Sequence, residues 1–408
     1  MLSSFKNSSY ITYECKHDSP RFIDAIVESM MDPTGHVHRG RAALTNSPAP
    51  HNSVHMQSND YLSIAADPRI ARTKAKKLLE EGHGDAISRV FAHTRQDMHR
   101  EFEYRMAALT GAEDAVLMMS GYNANTGLVQ AFARPETPVY IDIMAHASLW
   151  EGILCARAKA RPFRHNNAED LRRKIARYGP GLVIVDSLYS TNGNLCPLKD
   201  FVEVTEEGNC AIVVDETHSF GCHGHAGGGI SLAEGLADRV HFRTIGLSKA
   251  IAARGGVIVG SARNMEFLRY EARPMIFSTS VLGYEVAGFN TALDIIAAEP
   301  WRQEKLHANH RYLRAGLLAL GYDVSDSDCQ IISIVTGNLE NTVLFRQYLD
   351  KHGLLGSVFC PPATPDNKML LRLTVNASLQ PQELQHALDV CESALNDLDM
   401  SGWPSLLN

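Results

Sequence analysis

Short apolar runs of strand type recur through the middle of this chain and are separated by helical or glycine-rich segments. There are six, at residues 115–119, 139–143, 182–185, 212–214, 242–245 and 257–259. Buried strands that alternate with helices indicate a mostly parallel sheet covered by helices on both faces. The predicted fold class is therefore α/β.

Polar residues stand at the ends of these runs or just after them. They are Ser120, Asp142, Asp186, Asp215 and Lys249. Ligands of open α/β sheets gather at the carboxyl ends of the strands. Because these ends lie along one edge of a parallel sheet, the sequence predicts that the five side chains share one site.

The length of the chain favours two lobes. At 408 residues it exceeds one ordinary hydrophobic core. We predict an N-terminal arm at residues 1–55, a large domain containing the sheet at residues 56–285, and a small α+β domain at residues 286–408. The last boundary falls where longer helical patterns replace the alternation of strands and helices.

Composition and charge exclude several classes of function. A net charge of -7 supplies no basic surface for nucleic acid. No apolar stretch approaches the roughly 20 residues that span a bilayer, so membrane insertion is not expected. Eight scattered cysteines without a C-x-x-C pair, and an N-terminus without a signal-peptide pattern, predict a cytoplasmic protein. The loop Gly221–Gly229 contains one Cys and two His, but no second ligand pair accompanies it and no metal is predicted.

Lys249 and Asp215 are the residue types that suit a cofactor with an aldehyde and a pyridine ring. Lys249 follows an apolar run and precedes Ala-Ile-Ala-Ala, which favours a partly desolvated amine over a solvated surface lysine. Such an amine forms a Schiff base with an aldehyde. Asp215 ends a strand of β-branched residues, where it either forms a turn or keeps a ring nitrogen protonated.

The sequence around these two residues resembles a known family. The motif Asp-x-x-His at 215–218 and the setting Gly-Leu-Ser-Lys-Ala of Lys249 resemble the pyridoxal-phosphate (PLP) enzymes of the α-oxoamine synthase family. The resemblance extends from about Gln57 to the C-terminal helix. It implies fold type I of the PLP-dependent transferases, which is aspartate aminotransferase-like, with a large PLP-binding domain and a smaller C-terminal domain.

The resemblance also implies a role for each residue around the cofactor ring. Lys249 holds PLP, and Asp215 pairs with its ring nitrogen. His218 and Ser190 contact its phenolic oxygen. His146 stacks on the ring and completes the predicted catalytic set of Lys249, Asp215 and His218; from the residues alone, a helix-capping histidine is the alternative.

The turn Ser120-Gly121-Tyr122 is the predicted phosphate site. It follows the first strand of the sheet and opens a helix, whose N-terminal N–H groups favour an anion. The resemblance places the PLP phosphate there and Tyr122 near the ring. Gly246 stands where many relatives carry Thr or Ser, so the hydroxyl contact is expected from Thr244 or Ser248.

The resemblance assigns four further residues. Ser278 and Thr279 reach the phosphate of the other subunit's cofactor, which implies a homodimer with shared sites. Arg372, within an apolar strand, binds the substrate carboxylate with the help of Asn59. A guanidinium in such a strand needs a partner, and an internal salt bridge is the alternative.

Four strings resemble one branch of the family, the α-hydroxyketone quorum-sensing autoinducer synthases. They are YIDIMAHASLWEG at 140–152, PFRHNN at 162–167, GPGLVIVDSLYST at 179–191 and GSVFCPPAT at 356–364. The implied reaction condenses a fatty acyl-CoA with a small α-amino acid or S-adenosylmethionine. Decarboxylation then yields a long-chain α-aminoketone, the precursor of the signal.

Two alternatives remain. One is a housekeeping synthase of the 8-amino-7-oxononanoate synthase or 2-amino-3-oxobutyrate CoA ligase type, which the loop Gly82–Arg89 resembles more closely. The other is a protein with the same fold that binds or regulates without catalysis.

Overall fold

The computed structural model describes residues 20–29, 50–84, 87–91, 98–361 and 363–407. The predicted arm at 1–55 and the loop at 82–89 therefore lie partly outside the described residues. The chain divides into two compact units, residues 1–46 and residues 47–408. The described part of the first unit contains helix α1 (Arg21–Glu28).

The strands of the second unit are short, and the longest has seven residues. In chain order they are β1 (Val54–His55), β2 (Asp114–Met118), β3 (Pro138–Asp142), β4 (Lys159–Phe163), β5 (Leu182–Asp186), β6 (Ala211–Asp215), β7 (Phe242–Gly246), β8 (Gly256–Gly260), β9 (Ile331–Gly337), β10 (Leu354–Leu355), β11 (Ser357–Phe359) and β12 (Met369–Thr374).

The helices of the second unit separate most of these strands. In chain order they are α2 (Pro68–Glu81), α3 (Met98–Thr110), α4 (Gly121–Phe132), α5 (Ala147–Ala156), α6 (Ala168–Tyr178), α7 (Leu198–Glu207), α8 (Ile230–Ala233), α9 (Ala262–Glu271), α10 (Arg273–Ile276), α11 (Gly283–Ala298), α12 (Trp301–Ala319), α13 (Leu339–Lys351) and α14 (Pro381–Asp397). Short 3-10 turns occur at Arg89–Phe91, His225–Gly227 and Ala237–Arg239.

The central sheet has the strand order β2-β8-β7-β6-β5-β3-β4. Strand β8 runs antiparallel to both of its neighbours, and the other described pairs of this sheet are parallel. The six predicted apolar runs are β2, β3, β5, β6, β7 and β8. The prediction of an α/β fold with a mostly parallel sheet is confirmed.

Successive side chains of each strand point to opposite faces of the sheet, so that a hydrophobic core forms on both faces. Val183 and Val185 of β5 pack with Ile212 and Val214 of β6 in one apolar cluster. The residues between them, such as Val213, pack on the opposite face with α4 and α5. Because both faces are covered, these strands consist almost entirely of apolar residues.

Strand β4 was not predicted. It pairs with β3 at the edge of the sheet and has the sequence Lys-Ala-Arg-Pro-Phe, with Lys159 exposed and Phe163 buried. Only one face of this edge strand meets the core, so no apolar run marks it. Pro162 fits because an edge strand has a free N–H side.

Helix starts follow the capping residues that the sequence offers. Helix α2 begins at Pro68, and the Asp67 carboxylate accepts the backbone N–H of Arg69. Helix α4 begins after Ser120, whose hydroxyl accepts the N–H of Asn123 at 3.1 Å. These are favourable N-cap arrangements, and they fix where each helix enters the fold.

A second, antiparallel sheet of order β11-β12-β9 lies in the C-terminal part of the chain, where an α+β texture was predicted. Strand β12 pairs with β9 over its whole length and places Arg372 opposite Ser333. Helices α12, α13 and α14 accompany this sheet. No helix in the described ranges is both long and apolar enough to cross a membrane.

Candidate active site

A cavity of about 450 Å³ opens at the carboxyl ends of β6 and β7 and at the start of α4. Many of the predicted site residues line it together: Ser120, Gly121, Tyr122, His146, Asp215, His218, Ser248 and Lys249. The amine and the carboxylate on which the sequence argument depends therefore face one space.

Lys249 lies in the turn that follows β7, and its carbonyl accepts the N–H of Ala252 at 3.0 Å. Burial and the positive charge of Arg372 lower the pKa of the Lys249 amine, and the negative charge of Asp215 opposes this in part. The amine is neutral at a lower pH than an exposed lysine. It can therefore act as a nucleophile or accept a proton.

Asp215 is buried and held on both carboxylate oxygens. Its Oδ2 accepts the side-chain amide of Asn125 at 2.7 Å, and its Oδ1 accepts the backbone N–H of Thr217 at 2.9 Å. Strand register places Asp186 directly beside it. Burial and the charge of Asp215 raise the pKa of the Asp186 carboxyl well above its usual value, which favours the protonated form of Asp186.

His146 caps helix α5 and also lines the cavity; its stacking on the cofactor ring stays a prediction. The backbone N–H of Ser148 donates to its Nδ1, which makes that nitrogen an acceptor. The Ser148 hydroxyl lies 2.7 Å from the same nitrogen and accepts the Asn125 amide at 2.8 Å. A hydrogen-bonded chain thus links Asp215 through Asn125 and Ser148 to His146.

His218 belongs to a second chain of hydrogen bonds. Its Nδ1 and the hydroxyl of buried Tyr61 are 2.6 Å apart, and Tyr61 lies 3.4 Å from Asn59 Oδ1. Asn59 Oδ1 accepts an N–H of Arg372 at 3.1 Å. Burial and the charges of Lys249 and Arg372 lower the pKa of His218 well below its usual value, so the ring is neutral.

Arg372 is a buried cation. One of its terminal N–H groups donates to the carbonyl of Ser190 at 2.5 Å, and its guanidinium lies 4.5 Å from the centre of the Phe359 ring. Its Nε has no hydrogen-bond partner in the described structure. No Asp or Glu of the described ranges forms an ion pair with it, so the internal salt bridge weighed above is not observed there. Burial lowers the pKa of Arg372.

Three glycines allow backbone to approach backbone at the start of α4. A Cβ on Gly121 would lie 2.8 Å from the Cα of Gly246, and a Cβ on Gly256 would lie 2.3 Å from the carbonyl oxygen of Ser120. The helix start therefore rests directly on the ends of β7 and β8. Gly121 and Tyr122, the first two residues of the helix, line the cavity, and the N–H groups of a helix start favour a phosphate.

Several predicted residues do not line the cavity. Thr244 is buried inside β7, with its hydroxyl unpaired, so the structure corrects the expectation that it faces the ligand. Ser190 is not among the residues that line the cavity, and its carbonyl accepts an N–H of Arg372. The Ser278 hydroxyl donates to the carbonyl of Pro274, and Thr279 is exposed.

Asp142 and the glycine-rich loop also lie apart from this cavity. The Asp142 carboxylate is paired with His165 at 3.0 Å, so the expectation that it shares the site is wrong. In the loop, Cys222 is buried, and the His223 ring packs 5.0 Å from the ring of His307.

Sequence reasoning missed Asn125, Ser148, Tyr61 and Thr217. Asn125 follows Gly121 by four residues, so helical periodicity gave a signal that it shares a face with the turn. Thr217 follows Asp215 by two residues. Ser148 and Tyr61 carried no comparable signal, because their importance depends on partners that are distant in the sequence.

These residues fit PLP. An amine is available for the aldehyde at Lys249, a fixed carboxylate for the ring nitrogen at Asp215, and a glycine-lined helix start for the phosphate. Asn125 Oδ1 is buried beside this space without a partner, which indicates room for a further polar group.

Comparisons with known proteins agree with this geometry. The family model for aminotransferase class I and II matches residues 52–390. The chain is similar to CAI-1 autoinducer synthase from Vibrio campbellii, with 39% identity over 84% of this chain and 87% of the relative. It is also similar to 8-amino-7-oxononanoate synthase 1 from Bacillus subtilis, with 31% identity over 85% of this chain and 89% of the relative.

The fold of this chain is also similar to that of solved PLP-dependent enzymes. A serine palmitoyltransferase variant from S. paucimobilis with bound PLP and myriocin superposes with a TM-score of 0.81 at 27% identity, covering 92% of this chain and 95% of that chain. The predicted fold, the resemblance to PLP-dependent synthases and the predicted cofactor are confirmed. The chain belongs to the aminotransferase class I and II family, and its cofactor is PLP.

Proposed function

We propose that this PLP-dependent enzyme condenses an α-amino acid with a fatty acyl-CoA, releasing CoA and then CO2. The product is a long-chain α-aminoketone that precedes an α-hydroxyketone autoinducer. One observation carries the amino acid half of the proposal. Arg372 is buried and has no acidic partner in the described structure, and its positive charge acts on the Lys249 amine. The acyl half is supported by 39% identity to an autoinducer synthase, against 31% to an 8-amino-7-oxononanoate synthase.

Arg372 is proposed to hold the carboxylate of the amino acid. A buried guanidinium without a counter-ion is costly, and a carboxylate offsets that cost with charge-assisted hydrogen bonds. Asn59 orients the guanidinium through its side-chain oxygen. The guanidinium also lies over the Phe359 ring, which helps to hold it in place.

Lys249 is proposed to remove the Cα proton of the bound amino acid. PLP, when bound, withdraws electrons from that carbon and makes its proton acidic. The Lys249 amine accepts the proton because its pKa is lowered by burial and by Arg372. Asp215 stays ready to pair with the ring nitrogen because Asn125 and the Thr217 N–H fix its carboxylate.

The two histidines are proposed to position the cofactor ring. Tyr61 occupies Nδ1 of His218, so Nε2 is the nitrogen left for the phenolic oxygen of PLP. Ser190 is proposed to contact the same oxygen. His146 is proposed to stack on the ring, held by its hydrogen bonds to Ser148.

The acyl donor separates the proposed function from the housekeeping alternative, which the 31% identity to an 8-amino-7-oxononanoate synthase favours. We expect kcat/KM with decanoyl-CoA to exceed that with pimeloyl-CoA by about 10-fold or more, because each methylene in an apolar pocket adds discrimination. The amino donors to supply are 2-aminobutyrate and S-adenosylmethionine. Mass spectrometry of the products is the measurement.

The panel includes acetyl-, succinyl- and pimeloyl-CoA, and Lys249→Ala provides the blank. A preference for any of these three over decanoyl-CoA would exclude the signalling function. If neither the native protein nor the Lys249→Ala blank formed product faster than a reaction without protein, the non-catalytic alternative would gain support.

We also propose a homodimer with shared sites. In one chain, Phe277 is 80% exposed and Thr279 is exposed, and neither lines the cavity of that chain. A large exposed aromatic beside an exposed threonine suits contact with a second copy. Ser278 and Thr279 are proposed to reach the phosphate of the partner's PLP.

Mixing two inactive variants tests this arrangement. Lys249→Ala removes the amine of its own site, and Ser278→Ala/Thr279→Ala removes contacts donated to the other site. After unfolding and refolding of an equal mixture, we expect about a quarter of native activity, because half of the dimers regain one complete site. If the activity of the mixture were only the mean of the activities of the two variants, Ser278 and Thr279 would contact the PLP of their own subunit.

The domain division is also kept as a proposal. Residues 56–285 are proposed as the large PLP-binding domain, since the residues lining the cavity all fall within them. Residues 286–408 are proposed as the small domain that contributes Arg372. The cytoplasmic location stays a prediction.

A further inference from the structure

We propose that the Thr217 hydroxyl donates a hydrogen bond to the phosphate of PLP. The sequence led us to expect this contact from Thr244 or Ser248. The inference rests on the proposed position of the phosphate at the start of α4, and it does not depend on which acyl donor the enzyme uses.

Thr217 is fixed at two points beside the cavity. Its backbone N–H donates to Asp215 Oδ1 at 2.9 Å, and its Oγ1 accepts the backbone N–H of Gly246 at 2.8 Å. Since Oγ1 accepts from Gly246, its own proton points elsewhere. Within the described residues this proton has no protein acceptor, so the hydroxyl retains a donor for a ligand.

The hydroxyl lies at the start of α4. Thr217 Oγ1 is 4.0 Å from the position that a Cβ on Gly121 would take. Gly121 is the first residue of the helix, where backbone N–H groups are not used within the helix and favour an anion. Thr217 and the first residue of the helix therefore line the same part of the cavity.

Gly246 explains why the hydroxyl comes from position 217. A Cβ on Gly246 would lie 2.9 Å from Thr217 Cγ2 and 3.2 Å from Oγ1. The threonine side chain occupies the space that a side chain at 246 would need. One of these two positions can carry the hydroxyl, and in this chain it is Thr217.

The two residues expected from the sequence are placed less well. Thr244 is buried within β7 and does not line the cavity. Ser248 lines the cavity but is exposed in the turn beside Lys249, without the two backbone restraints that hold Thr217. A fixed donor loses less entropy on binding than a free one.

Binding of two ligands that differ by the phosphate tests the inference. The full chain, freed of PLP, is titrated with pyridoxamine 5'-phosphate and with pyridoxamine, neither of which needs Lys249 for covalent attachment. We expect Thr217→Val to lower the affinity for pyridoxamine 5'-phosphate by about 10-fold or more, because a hydrogen bond to a charged group is lost. Pyridoxamine affinity is expected to change less than about 2-fold.

Matched variants make the result specific. Thr217→Ser keeps the hydroxyl and is expected to keep native affinity for both ligands. Thr244→Val makes the same substitution at a hydroxyl outside the cavity and is expected to change neither affinity. If Thr217→Val fails to fold, as judged by circular dichroism, Thr217→Ala removes the same hydroxyl with less bulk.

Three results would overturn the proposal. If Thr217→Val lowered the affinity for both ligands equally, Thr217 would have a purely structural role. Unchanged affinity for both would show that its hydroxyl does not contact the phosphate. Loss of phosphate preference in Ser248→Ala, with none in Thr217→Val, would assign the contact to Ser248. No acyl-CoA is present, so failure of the proposed acyl transfer would leave these affinities unchanged.

Discussion

Replacement of Lys249 by alanine is expected to abolish the visible absorbance of lysine-bound PLP and to lower the rate of product formation by about 10³-fold or more. The substitution removes both the amine that holds the cofactor and the proposed base for the Cα proton. The cavity keeps its other walls, because the Lys249 backbone contact with Ala252 does not involve the side chain. Absorbance spectra and product assays on the same preparation are the measurements.

The pH dependence of cofactor capture gives an independent readout of the same residue. Burial and the charge of Arg372 lower the pKa of Lys249, so more of the amine is neutral at a given pH than in an exposed lysine. We expect the rate of PLP capture to rise with pH and to level off below the ordinary lysine pKa of about 10.4. Stopped-flow absorbance follows the reaction.

A lysine outside the cavity provides the control. Lys159 is exposed on the edge strand β4, and Lys159→Ala is expected to leave both absorbance and activity unchanged. If the visible absorbance survived Lys249→Ala, another amine would hold PLP, and the assignment of the active site would be wrong.

Asp215→Asn is expected to produce the second large loss, about 10²- to 10⁴-fold in kcat, while leaving PLP attached to Lys249. The substitution keeps the size of the side chain and removes its negative charge. Without that charge the ring nitrogen of PLP loses its counter-ion, so the ring withdraws electrons less strongly. The retained absorbance distinguishes this variant from Lys249→Ala.

The neighbouring carboxyl group supplies a matched control. Asp186 lies beside Asp215 in the strand register, and burial together with the Asp215 charge raises the pKa of Asp186 well above its usual value. A protonated carboxyl and an amide carry the same charge, so Asp186→Asn is expected to lower kcat by less than about 10-fold. Equal losses in the two variants would show that the charge of Asp215 is not what catalysis requires.

The sheet could be predicted because most of its strands are covered on both faces. Strands such as β5 must then consist of apolar residues, and a short apolar run is visible in the sequence. Strand β4 could not be predicted in this way. At the sheet edge only part of the strand is buried. Lys159 and Pro162 therefore interrupt the apolar run that marks a buried strand in the sequence.

The site could be predicted in part for a related reason. Asp215 and Lys249 follow apolar runs, and strand ends of an α/β sheet converge, so their proximity follows from topology. Tyr61 could not be found, because its hydrogen bond to His218 joins residues 157 positions apart. For Asn125, helical periodicity indicates the face it shares with Gly121, but its hydrogen bond to Asp215 joins residues 90 positions apart and is not visible in the sequence.

Local sequence therefore determined the class of fold, the helix starts at capping residues such as Ser120, and the two groups that are proposed to meet the cofactor. These properties depend on burial and hydrogen bonding within a few residues of the chain. The tertiary structure alone decided which hydroxyl lies beside the helix start that is proposed to bind phosphate. Thr244 and Thr217 are the same residue type near the ends of adjacent strands, yet the packing of Thr217 against Gly246 turns its hydroxyl toward the cavity, while the neighbouring elements bury Thr244.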